Sequence, residues 1–322
     1  MGKVEKEAEA EAEAEAKAEA TLLTPLYHSG KGVARSHPNY LTSKLRQGRS
    51  PKPPSLPHSP MQLHHLIAYL ETIAPPRLQE SYDNAQLIVG DPQREITGVL
   101  TCLDSTEAVV AEAVATGCNV IVAHHPIVFR GLKSLTGKTY IERTVIAAIK
   151  HDVAIYAIHT NLDNVLRHGV NERIAQRLGL TDYRILAPKN PSEPTIGAGL
   201  IGELPTALSE RAFLEMTKTA LQAGVIKHTA LLDQDVRTVA VCGGAGGFLL
   251  GQAIAAGAQA FVTADYKYHE FFDADGHLLL ADVGHYESEQ YTVQLLQELI
   301  SSEFSNFAAR CTTVRTNPVY YL

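Results

Sequence analysis

The 322-residue chain has no tryptophan, three methionines and four cysteines. The cysteines, Cys102, Cys118, Cys242 and Cys311, form no Cys-x-x-Cys pair. That spacing argues against a cysteine zinc site and against a disulfide framework. Three of them lie within or beside apolar, strand-like runs, so they read as buried, reduced thiols of a cytoplasmic protein. No apolar run approaches the roughly 18–20 residues needed to span a bilayer, which argues against a membrane protein. An excess of positive charge is also missing. The net charge of −7 weighs against a nucleic-acid-binding surface. No apolar stretch follows a basic start, so no secretory signal is read, and the acidic first segment disfavours an organelle transit peptide.

Residues 1–60 differ from the rest. "EKEAEAEAEAEAEAKAEA" has good helix propensity but no apolar stripe to bury. Residues 21–60 then contain no acidic residue, carry Lys31, Arg35, Lys44, Arg46, Arg49 and Lys52, and end in "SPKPPSLPHSP". This composition predicts a disordered low-complexity tail and a proline-rich linker, or an extension upstream of the natural start. The folded body is predicted to begin at Met61. With 45% hydrophobic residues, the chain can build one large domain or two moderate ones. "MQLHHLIAYLETIAP" opens the body as an amphipathic helix, with Leu63, Leu66, Ile67 and Leu70 at helical spacing. His64 and His65 then point about 100° apart and read as surface or boundary residues.

The body repeats itself. "ITGVLTCLDSTEAVVAEAVATGCNVIVAHHP" (96–126) and "VRTVAVCGGAGGFLLGQAIAAGAQAFVTADYKYH" (236–269) both read strand, turn, short helix, strand. Each has an Ala-rich helix, a glycine at its end and an apolar strand with a polar tip. Each is followed by one more strand with a polar end, "VAIYAIHTNLDN" (153–164) and "LLLADVGHYESE" (278–289). An α/β fold of two related lobes follows, residues 61–190 and 191–322, with mixed or parallel sheets covered on both faces.

In such sheets the functional groups gather at the carboxyl ends of the strands. Those ends carry His124, His125, His159 and Asp163 in the first half. In the second they carry Asp265, Lys267, His269, His285, Glu287 and Glu289. Pro126 marks His124 and His125 as the point where a strand opens into a loop. His285 and Glu289, at i and i+4, share a helical face if the helix has begun by His285. Nitrogen and oxygen ligands without thiolate suit Zn, Mn, Fe, Co or Ni. Four or five ligands with a carboxylate able to bridge point to two divalent ions rather than one, with the adjacent histidines each taking a different ion. Lys267, Tyr268 and His269 are candidate substrate or proton-transfer groups, and His159 a residue standing behind the ligands. "GGAGG" (243–247) is no phosphate loop, because no Lys-Ser/Thr follows, and reads as a tight strand-to-helix turn.

The ordered set "YDNAQLIVG", "AHHPIVFRGLKSL", "IHTNLDN", "VAVCGGAGG", "TADYKYHE" and "DVGHYESE" resembles the Nif-three-like dinuclear metal centre family, the type 2 homologues of GTP cyclohydrolase I. The resemblance spans about residues 61–322. It implies two divalent metals per subunit held by His124, His125, Asp163, His285 and Glu289. By that pattern His125 and Asp163 hold one ion, His124 and His285 the other, and Glu289 bridges. It also implies two α/β lobes with the site between them, and a toroidal homohexamer. "YDN" stands where the family often has Trp-Asp-Asn, "QLIVG" where it has Gly-Leu, and "TADYKYH" replaces a commoner Thr-Gly-Asp start; none of these removes a ligand. Some members carry an extra domain between the halves. About 70 residues separate Asp163 from Val236 here, which implies the short form. The expected function is a metal-dependent hydrolase of a small, nucleotide-like substrate. The alternative is a non-catalytic metal-bound scaffold or regulatory partner.

Overall fold

The computed structural model describes residues 61–322; the tail and linker expected over residues 1–60 lie outside the described residues. The body opens with α1 (Leu63–Ile73), whose Leu63, Leu66 and Leu70 are fully buried. Each buried leucine of this kind stabilises the fold by about 2 kcal/mol. His64 and His65 remain outside the core, as their positions on α1 predict.

The first half then runs β1 (Leu87–Val89), β2 (Gly98–Cys102), α2 (Glu107–Ala115), β3 (Val120–Ala123), α3 (Tyr140–Lys150), β4 (Ala154–Ala157), α4 (Thr160–Asp163) and α5 (Val170–Arg177). Next come β5 (Thr181–Pro188), β6 (Gly197–Ser209), α6 (Glu210–Ala220), β7 (Lys227–His228), β8 (Asp235–Ala245), α7 (Leu250–Ala255), β9 (Ala260–Ala264) and β10 (Leu279–Asp282). The chain finishes with α8 (His285–Glu289), α9 (Thr292–Glu303) and β11 (Ala308–Cys311).

These strands form two sheets, of order β1-β4-β3-β2-β11 and β5-β6-β8-β9-β10-β7. The repeated units sit in matching places: β2, β3 and β4 are parallel neighbours, and so are β8, β9 and β10. Their helix ends also match. After α2 the Cys118 amide donates to Ala113 O and the Gly117 amide to Val114 O; after α7 Ala258 donates to Ala253 O and Gly257 to Ile254 O. This cap needs a left-handed residue, and Gly117 and Gly257 supply it at φ +72° and +75°.

Every residue of β2, β3, β4, β9 and β10 is buried, because both faces of each sheet are covered. On one face of the first sheet Leu100, Ile121 and Ile155 pack with Val109 and Val110 of α2 and Val145 of α3. On one face of the second, Ala240, Phe261 and Leu280 pack with Leu250 and Ala253 of α7. The remaining faces share a single core. In it Val99, Val122 and Tyr156 join Val241, Val262 and Ala281 through α1, α5 and α9. The sheets do not divide at residue 190, where the lobe boundary was expected. Thr181–Pro188 already pairs into the second sheet, and Ala308–Cys311 returns to the first, parallel to β2. The alternation along β11 is too weak to show from sequence which sheet receives it. No described helix is long and apolar enough to cross a membrane.

Candidate metal centre

The strand ends converge. Beyond β3 the backbone ladder continues for two residues, with His124 N donating to Cys102 O at 3.1 Å and His125 N to Leu103 O at 2.9 Å. The adjacent rings therefore leave the strand end in fixed, different directions. His124 is fully buried and its Nδ1 donates to Ile158 O at the end of β4, 2.9 Å away. His125 Nδ1 donates to Asp104 Oδ1 at 2.8 Å. After β4, His159 Nδ1 donates to Asp83 Oδ1 at 2.8 Å, and α4 carries Asp163. After β10, Gly284 at φ +94° turns the chain into α8, where His285 Nδ1 donates to Asp265 Oδ2 at 2.7 Å. One helical turn later Glu289 lies on the same face, its Oε2 3.0 Å from His285 Nε2. The helical register expected for this pair is the one found.

Each of the four imidazoles thus has its outer nitrogen held by an oxygen acceptor. That places a ring hydrogen on the outer nitrogen and turns the inner nitrogen toward a common centre. Glu289 stands in the middle: Oε2 lies 3.0 Å from His125 Nε2 and 3.9 Å from His124 Nε2. Among the described residues the metal-competent side chains fall into three groups whose ligand atoms lie within 4.8 Å of one another: His125, His285 and Glu289; His124, Asp163 and Glu289; and His124, His125 and His159. Glu289 is common to two of them. In them His125 lies with His285 and Glu289, and His124 with Asp163 and Glu289. The adjacent histidines fall into different groups around the shared carboxylate and lie together in the group with His159.

The electrostatics follow from burial and partners. Burial pushes the His124 imidazole down to about 3, so it is neutral and its lone pair is free. Burial works against charge on His125 too, but Asp104 and Glu289 raise it to about 9. At His285, burial is likewise outweighed by Glu289 and Asp265, which raise it to about 11. Burial and the nearby Glu289 carboxylate push Asp163 well above the usual carboxylate range. Glu289, in spite of its burial, is held low by His285 and His125. Asp83 is also buried, yet bonds from His159 and Thr160 hold it down to about 2.

Two buried atoms, His124 Nε2 and Asp163 Oδ1, have no hydrogen-bond partner among the described residues and lie 3.6 Å apart. A buried polar atom without a partner is costly, and a cation between these two would satisfy both. The donor set therefore fits a divalent ion. Gly244 makes room for the cluster: it sits at φ +60°, and a Cβ there would stand 2.5 Å from Glu289 Oε1. This is the turn expected of "GGAGG"; Gly243 and Gly244 finish β8 rather than opening a helix.

Two cavities reach the cluster. One, of about 440 Å³, is lined by Leu103, Phe129, Val225 and Val319 together with Lys227. The other, of about 240 Å³, is lined by Tyr82, Asn164, Asn171 and Phe248. His159 and His285 line both.

The structure brings His124, His125, His159, Asp163, His285 and Glu289 together. It does not bring Lys267 and His269 to either cavity. Lys267 is 85% exposed and pairs with Glu270 at 3.3 Å, and His269 packs on Tyr268 at the start of a 3-10 turn, Tyr268–Ala274. That turn begins where a continuing extended strand end was assumed, and it rotates both side chains outward. Glu287 is buried and accepts a bond from Asn317 Nδ2 at 3.0 Å, away from the histidines. Sequence reasoning missed the orienting roles of Asp83, Asp104 and Asp265, and the place of Lys227. The strand-end rule points to Asp104, two residues past β2, as directly as it does to the histidines.

A sequence model described as Duf34/NIF3 (NGG1p interacting factor 3) matches residues 61–318. The chain belongs to the Duf34/NIF3 family. A Clostridium perfringens relative named "GTP cyclohydrolase 1 type 2 homolog" is 34% identical over 230 residues, covering 71% of this chain and 87% of that protein. One of the same name from Streptomyces coelicolor is 35% identical over 234 residues, covering 71% and 81%. Among solved structures, a Staphylococcus aureus hypothetical protein superposes with a TM-score of 0.76 at 30% identity. That match covers 82% of this chain and 100% of the other. A Staphylococcus aureus relative aligns over 370 positions while using 81% of this chain and all of its own length. It therefore carries inserted residues that this Duf34/NIF3 chain lacks, in keeping with the short form.

Proposed function

We propose that this cluster holds two divalent metal ions and that the protein is a metal-dependent hydrolase of a small substrate. The observation that carries the reading is the position of Glu289, shared by two three-residue groups of good ligands. In the reading drawn from these distances, His125 and His285 hold one ion, His124 and Asp163 the other, and Glu289 serves both. Such ions supply Lewis acidity and activate water near neutral pH. The residues of the chain do the rest. Asp104 and Asp265 fix the inward nitrogens of His125 and His285 and add negative charge behind them, which offsets part of the cationic charge in front. The apolar wall of Leu103, Phe129, Val225 and Val319 limits water around a substrate. Lys227 is the one Lys or Arg lining that cavity among the described residues, although Asp282 already pairs with it at 2.6 Å.

The name shared by the relatives, "GTP cyclohydrolase 1 type 2 homolog", suggests a nucleotide-like substrate with a hydrolysable ring. We also propose, on resemblance, a homo-oligomer larger than a dimer, a hexamer in the family pattern. The lobes would correspond to the two sheets, with the centre between them, and the thiols suit the cytoplasm. A second reading, a non-catalytic scaffold or interaction protein, is favoured by the exposed Tyr268 and Phe272, which lie 5.8 Å apart beside an apolar groove. Metal analysis of the purified chain, followed by turnover assays across nucleotides, phosphoesters and cyclic amides with defined metals, tests both. Fewer than two ions per chain would sink the dinuclear reading. Two ions without turnover under any metal would favour the scaffold.

A further inference from the structure

Asp83 is a carboxylate with every acceptor site used by a donor. Its side chain is fully buried. Oδ1 accepts the Asn84 amide at 2.7 Å and His159 Nδ1 at 2.8 Å; Oδ2 accepts the Thr160 amide at 3.0 Å and the Thr160 hydroxyl at 2.5 Å. An ionised carboxylate cannot donate, so a His159 ring with a single N–H carries it on Nδ1 and leaves the lone pair on Nε2. His124 has the same tautomer, but it is fully enclosed and faces Asp163 and Glu289. His159 instead lines both cavities and stands edge-on to His124 and His125, with ring centroids 5.3 Å away in each case.

His159 is also set apart from the ligands by charge. Its group, with His124 and His125, is the one of the three that contains no carboxylate among the described residues. A dication there meets three imidazoles and no carboxylate, whereas His124 and His125 each belong to another group that includes Glu289. Two ions satisfied by the Glu289 groups leave His159 facing whatever binds beside them.

We propose that His159 is a positioning residue that selects this ligand: its Nε2, held as a bare acceptor by Asp83, favours an oxygen ligand that carries a hydrogen and opposes an anion that carries none. Water and substrate hydroxyls belong to the first class; azide and fluoride belong to the second. The inference rests on the dinuclear reading above. It assigns Asp83, through His159, a task that none of the five ligands performs.

The test uses the full chain loaded with cobalt, whose visible spectrum reports ligand binding. Azide is titrated into wild type, His159→Leu and Asp83→Asn, with cobalt per chain and thermal melting measured for each. Leucine removes the opposing lone pair, so azide should bind about fivefold or more tighter, the scale of one hydrogen-bond term. Asparagine can turn an N–H toward Nδ1 and release the ring from its single tautomer, so a smaller gain is expected; if this variant does not fold, His159→Leu decides alone. A merely structural residue would weaken azide binding when lost. Unchanged or weaker azide binding in His159→Leu with both cobalt ions retained would overturn the inference. Loss of a cobalt equivalent from that variant would make His159 a ligand and overturn it too. Wild type that fails to hold two cobalt ions would instead overturn the dinuclear reading, and this inference with it.

Discussion

Glu289 touches both inner imidazoles that carry raised pKa values, and it is the carboxylate common to two ligand groups. Glu289→Gln keeps the size and removes the charge that offsets two dications. We expect it to lose at least one ion on dialysis, read as metal per chain by mass spectrometry. Glu287→Gln should keep both ions, because Glu287 faces Asn317, but should melt lower; the reverse pattern would move the bridge to Glu287. The protons on His125 and His285 set the pH dependence. Both are raised above 6.5, to about 9 and about 11. In the metal-free protein their ion pairs with Glu289 therefore stabilise fully below about pH 6.5 and are lost as pH rises through those values. A metal must displace the same protons, so apparent metal affinity should rise with pH across this range. Calorimetry in buffers of different ionisation heat should show protons released at neutral pH; no release would show that these rings are neutral. At this scale the ligand types were legible in sequence, because strand ends and helical spacing name them. The carboxylates behind the histidines were less so. Asp83 reaches His159 across 76 positions and Asp104 reaches His125 across 21, distances that periodicity does not encode.

The elements that present these residues were mostly readable, because each repeated unit pairs a β-branched strand with a helix ended by glycine. Two departures have local causes. The helix that begins at His285 is broken into α8 and α9 around Gln290 and Tyr291, where the ring of Tyr291 packs under Arg177 with its guanidinium 4.1 Å from the ring centroid. The "YKYH" segment turns into a 3-10 helix after the left-handed Asp265, φ +60°, which carries Lys267 and His269 away from the centre. Hydrophobic patterning carries no signal for a left-handed aspartate. The end of β8 is the most exacting element. Gly244→Ala forces a Cβ against Glu289 and a strained backbone together. We expect roughly 1–3 kcal/mol of destabilisation, seen as a melting point several degrees lower, with weaker metal retention. Unchanged melting and metal content would show that β8 can shift to make room.

For the whole molecule, the α/β class and the duplicated architecture followed from the repeat. The sheet boundary did not, since it depends on where β5 and β11 pair. The family match begins at residue 61, and residues 1–60 contain no periodic apolar face. A chain beginning at Met61 should therefore keep its melting temperature and metal content; a large loss of either would show that the preceding residues pack on the body. Mass photometry should find an assembly larger than a dimer, and a stable monomer at micromolar concentration would remove the hexamer from the reading.

The return of β11 to β2 also has a consequence for biosynthesis. Residues 98–102 leave the ribosome about 200 residues before their partner, residues 308–311, is made. Until then the first sheet exposes β2 as an unpaired edge during vectorial synthesis, open to other chains. Stalled nascent chains ending at Glu303 should therefore be prone to aggregate and to recruit chaperones, while chains extended beyond Cys311 should not. Equal behaviour of the two would mean that the edge is already covered, for example by α9.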